Sequence, residues 1–197
     1  MLAPVENLMG VATNARTLFL NVARLPPRPV MLRLPWKAVK KMPNWCEGSL
    51  KVRGKISNLK DFVLHGLKPV TFLGEDVKPL SFQSEDDTSF WVDGIKTSLW
   101  LDGTRRHFCE PDCIEVDAED SETPNIIILP FKAAWTIDAD ALHSLCKRFG
   151  VDMKIQAFEM GMQFSQIIEI VNGEILKDQE VKYDDWDWDC PCPRMGG

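Results

Sequence analysis

The side chains best suited to chemistry in this chain are sulfur and imidazole groups. His107-Phe108-Cys109 with Cys113, and Cys190-Pro191-Cys192 near the C-terminus, bring one imidazole and four thiols into two short segments. Thiolate and imidazole are the ligands zinc takes, four at a time in structural sites. These five residues therefore form a candidate zinc module that would tie the middle of the chain to its end. Neither Cys-x-x-x-Cys nor Cys-x-Cys is a zinc signature by itself, and ordinary loop thiols are the competing reading. Cys46 is a candidate nucleophile. A thiol acts as one only where a base or a cationic environment favours its thiolate. His65, His107 and His143 are scattered, with no nucleophile motif around any of them. The expectation is a buried structural thiol beside an indole, with no catalytic residue and no cofactor. A zinc module or a cysteine-dependent enzyme is the alternative.

Tyr183-Asp184-Asp185-Trp186-Asp187-Trp188-Asp189 is the most unusual local sequence. Read as a strand, it places Trp186 and Trp188 on one face and Asp185, Asp187 and Asp189 on the other. Such an arm either docks its indoles and leaves its acids in water, or offers an acidic, aromatic patch to a basic protein, tryptophan being a common interface anchor. Alternate aspartates lack the glycine turn and spacing of a calcium loop. Glu110 to Glu122 holds seven acids and no base. That run reads as a solvated loop, with imitation of a phosphate backbone as the sharper alternative. No Gly-rich phosphate loop, dinucleotide fingerprint or HExxH sequence is present, which leaves NTPase, dinucleotide-enzyme and zincin readings without support.

Charge divides the chain. Residues 1–41 carry seven bases and one acid, and residues 42–197 carry sixteen bases and twenty-eight acids, net charges of +6 and −12. Phosphate-backbone affinity rests on Lys and Arg, so nucleic acid is a poor partner for the body and a protein with a basic surface a better one. The basic, proline-studded leader 1–41 is expected to be peripheral to the fold or an extension from a mis-assigned start, with a targeting segment or a structured arm as alternatives. No apolar run approaches the roughly eighteen residues of a membrane span. Six cysteines without a secretory signal point to reduced thiols in a cytoplasm.

The elements that must position these groups are legible from periodicity. Leu50 and Val52 against Lys51 and Arg53 alternate as a half-buried strand closed by Gly54. A short helix capped by Ser57 or Asn58 should follow, with Leu59, Phe62 and Val63 inward and Gly66 as its stop. Pro69 to Thr123 is less regular, with a strand at Ser98 to Leu101, and reads as an insertion at about 68–123 carrying a hairpin and a mobile acidic loop. Asn125 to Phe131 is a nearly continuous apolar run suited to an inner strand covered on both faces. Asp138 opens a helix whose C-cap is Gly150. Strands at Asp152 to Glu159 and Gln163 to Val171 join near Gly161, and Asn172-Gly173 turns the chain into a last strand ending at Tyr183. The acidic, Trp-rich tail begins at about residue 178. Helices segregated from consecutive strands predict α+β: a ferredoxin-like sandwich, mostly antiparallel, with two helices on one face.

Met42-Pro43-Asn44-Trp45-Cys46, leading into Leu50, Val52 and Gly54, resembles the opening of the YubB-like ferredoxin-like domain family of phage, prophage and plasmid proteins. A second echo lies in Phe131-Lys132-Ala133-Ala134-Trp135 and in Phe158-Glu159-Met160-Gly161-Met162-Gln163-Phe164, similar to that family's aromatic-Glu-x-Gly-x-x-Phe turn. The resemblance implies the fold, a mobile-element origin and a bacterial host. It carries no activity, so Pro43, Asn44, Trp45, Cys46, Gly54, Glu159 and Gly161 enter as structural motif residues. The function expected is that of a non-catalytic accessory protein binding another protein through its acidic and aromatic surfaces.

Overall fold

The computed structural model describes residues 43–71, 77 and 79–197; the expectations for the leader lie outside the described residues. In chain order the elements are β1 (Trp45–Gly54), α1 (Ile56–Asp61), a π-helical turn (Phe62–Gly66), β2 (Leu67–Val70), β3 (Ser81–Gln83), β4 (Ser89–Asp93), β5 (Ser98–Leu101), β6 (His107–Cys109), β7 (Ile114–Asp117), β8 (Asn125–Ala134), α2 (Ala139–Phe149), β9 (Asp152–Glu159), β10 (Phe164–Val171), β11 (Glu174–Lys182) and α3 (Trp186–Asp189). The fold is a mostly antiparallel α+β protein. Eight strands form one sheet in the order β11-β10-β9-β1-β8-β6-β5-β2, and β3-β4-β7 form a second. No helix among the described residues is long and apolar enough to cross a membrane.

β1 is central because it pairs antiparallel along its length with both β8 and β9. Its period-two pattern sends Cys46, Leu50 and Val52 into the core, where Ile127, Leu129, Ile155 and Met153 meet them. Ile56, Leu59 and Phe62 of the first helical segment and Leu142, Leu145 and Cys146 of α2 close the same core. The π-helical turn ends at Gly66, where a Cβ would lie 2.8 Å from the Phe62 ring and 3.0 Å from that of Phe149. Glycine there lets those two rings meet edge to face at 5.8 Å. Asp138 caps α2 by accepting the Ala141 N–H at 3.0 Å, and Gly150 ends it with φ 63°. Asn172 and Gly173 both take positive φ, 51° and 70°, the backbone of a tight hairpin whose twist matches its strands.

Three expectations change. α1 begins at Ile56 behind Lys55, whose extended backbone supplies the first carbonyl, so Ser57 and Asn58 fall inside the first turn and do not cap it. Asn58 instead donates to the Gly150 carbonyl at 2.9 Å, tying the two helices together. The span 68–123 is no loose insertion. It supplies β6, β5 and most of the edge strand β2 to one end of the main sheet and all of the second sheet, and Phe90, Val92, Ile114 and Val116 enter the main core. Of its strands only β5 was legible in the sequence; the others hold at most two buried residues each, too few for a periodic signal. Finally, β8 is inner in the sheet but covered on one face only: Ile127 and Leu129 are buried, while Ile126 and Ile128 are 56% and 61% exposed.

Candidate functional site

The two motif segments, more than a hundred residues apart in sequence, meet at one corner of the sheet. Glu159 ends β9 with no exposed surface. One of its oxygens accepts the Gly161 N–H at 3.0 Å and the other accepts that of Met162, so the carboxylate closes the β9–β10 turn from within. A Cβ on Gly161 would stand 2.3 Å from Asn44 Nδ2 and 2.9 Å from Glu159 Oε1, so a side chain there must displace both polar groups. The Asn44 carbonyl accepts the Trp135 N–H at 2.9 Å, holding a tryptophan whose φ is 68°, a left-handed backbone that a bulky side chain rarely takes. Pro43 is half-buried beside this corner. Gly54 ends β1, where a Cβ would come within 3.1 Å of Val151. Cys46 is fully buried, and burial, then the Glu159 charge, push its thiol up to about 12. Burial of this kind disfavours the thiolate, the form a nucleophile needs.

A band of aromatic and cationic groups lies on the open sheet face beside this corner, and sequence reasoning missed it. The Trp45 and Phe108 rings meet edge to face at 6.0 Å. Lys132 lies 5.1 Å and Arg106 5.8 Å from the Trp45 ring centre, Arg106 reaches Trp135 at 5.3 Å, and Lys68 lies 5.7 Å from Trp100. The rings come from β1, β5, β6 and the turn after β8, so only pairing register assembles them. Two of the cations are also ion-paired: Lys132 with Glu110, and Lys68 with Asp102 at 2.8 Å. Glu110 thereby leaves the acidic run expected to be a solvated loop. Within that run Ile114 and Val116 are buried in β7, and Asp120 accepts the Glu122 and Thr123 N–H groups at 2.8 and 2.7 Å.

The acidic, aromatic tail is a helix, not a strand. The Asp185 side chain accepts the Trp188 N–H at 3.2 Å and caps α3. Residues two apart on a helix point in different directions, so the indoles separate. Trp186 is 5% exposed, packs with Phe158 and Cys190, and donates its indole N–H to the Pro193 carbonyl at 2.7 Å. Trp188 is 85% exposed, and Asp184, Asp185, Asp187 and Asp189 around it are exposed as well.

The five proposed zinc ligands do not converge. Among the described residues no three His, Cys, Asp or Glu side chains form a group that could hold a metal. His107 and Cys109 alternate inward on β6 into the main core, Cys113 is exposed, and Cys190 and Cys192 belong to the separate tail cluster. His107 Nε2 accepts the Asp138 N–H at 2.9 Å, which leaves a buried Nδ1 without a partner. Burial holds the imidazole down to about 4, with the Asp138 charge offsetting part of the effect. Its folded value lies below the unfolded one near 6.5, so the unfolded chain takes up the proton first and stability falls as pH drops through that window. The expected loss between pH 7 and pH 5 is about 2 kcal/mol from this group. Urea unfolding at the two pH values checks it, with the His107→Gln protein, whose amide oxygen can still accept from Asp138, losing less.

Compared with protein-family models, with curated protein sequences and with solved structures, the chain matches none.

Proposed function

We propose that this protein is a non-catalytic accessory protein of a phage or other mobile element, acting in the cytoplasm of a bacterial host by binding a basic segment of another protein at α3. The observation that carries this reading is the indole of Trp188, 85% exposed on an arm whose neighbouring Trp186 is buried. The arm is anchored by one tryptophan and presents the other among four aspartates. An exposed indole flanked by carboxylates suits a Lys or Arg side chain, which gains a cation–π contact and an ion pair together. The body's net charge of −12 favours the same partner.

The mobile-element origin rests on the motif resemblance, which gains support from the way Asn44, Cys46, Glu159 and Gly161 share one corner. The neighbour order β9-β1-β8-β6, with helices following β1 and β8, agrees with a ferredoxin-like core to which the remaining strands are added.

The test is capture of partners from a bacterial host at low salt, wild type against Trp188→Ala, followed by titration of the captured protein. Loss of a hot-spot tryptophan is expected to weaken binding by about 2 kcal/mol, roughly 30-fold. Equal binding by the variant, or binding indifferent to salt, sinks the proposal.

A further inference from the structure

Cys190 and Cys192 are two thiols of one tail cluster, and neither the fold nor the docking role of Trp188 uses their chemistry. Cys190 is 5% exposed and packs against Trp186 and Phe158; Cys192 is half-buried and packs on the same cluster. Cys192 also lines a shallow surface cleft with Glu47, Pro193, Arg194 and Met195. Two residues of chain span at most about 7 Å between Cα atoms, which overlaps the separation of roughly 4.4–6.8 Å that a disulfide bridges. Burial pushes the Cys190 thiol up from its ordinary value, and the neighbouring Cys192 amide offsets part of this, so Cys190 is the less reactive of the two until a disulfide is presented to it. The other four cysteines offer no such pair. Cys46, Cys109 and Cys146 are buried in the main core, and Cys113 is exposed.

We propose that Cys190 and Cys192 form a reversible thiol–disulfide site that reacts with low-molecular-weight disulfides such as oxidised glutathione. The Cys192 thiolate, reached from the cleft, attacks one sulfur of the small disulfide. The small disulfide's S–S bond breaks, one glutathione leaves as thiolate and takes a proton, and a mixed disulfide forms on Cys192. Cys190 then gives its proton to water, attacks the Cys192 sulfur and expels the second glutathione. Two protein thiols are oxidised, and one small disulfide is reduced to two thiols. The division of labour follows from burial: the accessible sulfur meets the reagent and the sheltered one resolves it. Because Cys190 belongs to the cluster that seats Trp186, closing the ring acts on the anchor of the arm.

The experiment is treatment of the reduced, folded, full-length chain with oxidised glutathione, followed by acid quenching, intact mass and peptide mapping. Wild type is expected to lose two hydrogens at Cys190–Cys192 and to carry no glutathione there. Cys190→Ser should retain one glutathione on Cys192, and Cys192→Ser should leave position 190 unmodified. Persistent glutathione on wild-type Cys192, or reaction confined to Cys113, overturns the proposal. The wild-type map decides the matter even where a variant folds poorly, and it is independent of whether Trp188 binds a partner.

Discussion

The Gly48→Ala protein is expected to be less stable than wild type by about 3 kcal/mol or more, seen as a urea midpoint lower by roughly 1–2 M. Gly48 lies in the middle of β1, opposite Phe131 of β8 and Ala157 of β9. A Cβ at this position would lie 2.0 Å from the Gln156 carbonyl oxygen and 2.6 Å from the Ala157 Cα. Both are backbone atoms, so no side-chain rotation relieves the overlap. The β1–β9 ladder must open, and it is the ladder that joins the two halves of the main sheet. Ser49→Ala, one residue on, is the control: it should move the midpoint little, because Ser49 alternates away from the buried Leu50 and, among the described residues, its side chain has no hydrogen-bond partner across the sheet. An unchanged midpoint for Gly48→Ala would falsify the close approach of these strands.

Replacing Glu159 with Ala is expected to cost about 3 kcal/mol, because two N–H groups of the β9–β10 turn lose a charged acceptor and the fully buried side chain leaves a cavity. Glu159→Gln should cost less without matching wild type: its amide offers one acceptor oxygen where the carboxylate offers two, and its NH2 faces a donor. The measurement is denaturant unfolding of the three proteins together. A second readout separates a local from a global effect. Amide exchange at Gly161 and Met162 should quicken in both variants, since these are the N–H groups Glu159 holds. Protection in the β1–β8 ladder should fall only in step with global stability. Equal stability of all three proteins would mean that the turn closes without the carboxylate. The corner would then be a packing feature of Asn44 and Gly161 alone.

The parts of the fold legible in sequence are those whose physics is local. β9 and β5 were readable at their observed bounds because alternation and flanking turn residues act within a few positions. α2 was readable because Asp138 and Gly150 mark its ends. The tail misled for a local reason too: alternating Asp and Trp satisfies a strand template, but the Asp185 cap tips the segment into a helical turn. The exposed face of β8 was hidden because the run after Asn125, from Ile126 to Phe131, carries no polar residue to mark it. Coverage of that face depends on where other elements pack, and Ile126 and Ile128 stand in the open.

The sequence by itself determined the α+β class, both ends of α2, the last hairpin and the acidic balance of the body. It also set Met42–Gly54 apart as a distinct opening. Each of these follows from neighbouring residues or from composition. Only the tertiary structure decided that Asn44 and Gly161 touch, that Glu159 is buried where it closes a turn, that the zinc candidates stay apart and that Trp188 stands free while Trp186 does not. Those outcomes depend on strand register and on which face of each element is covered, and register is set by pairing across the sheet, beyond the reach of any local pattern.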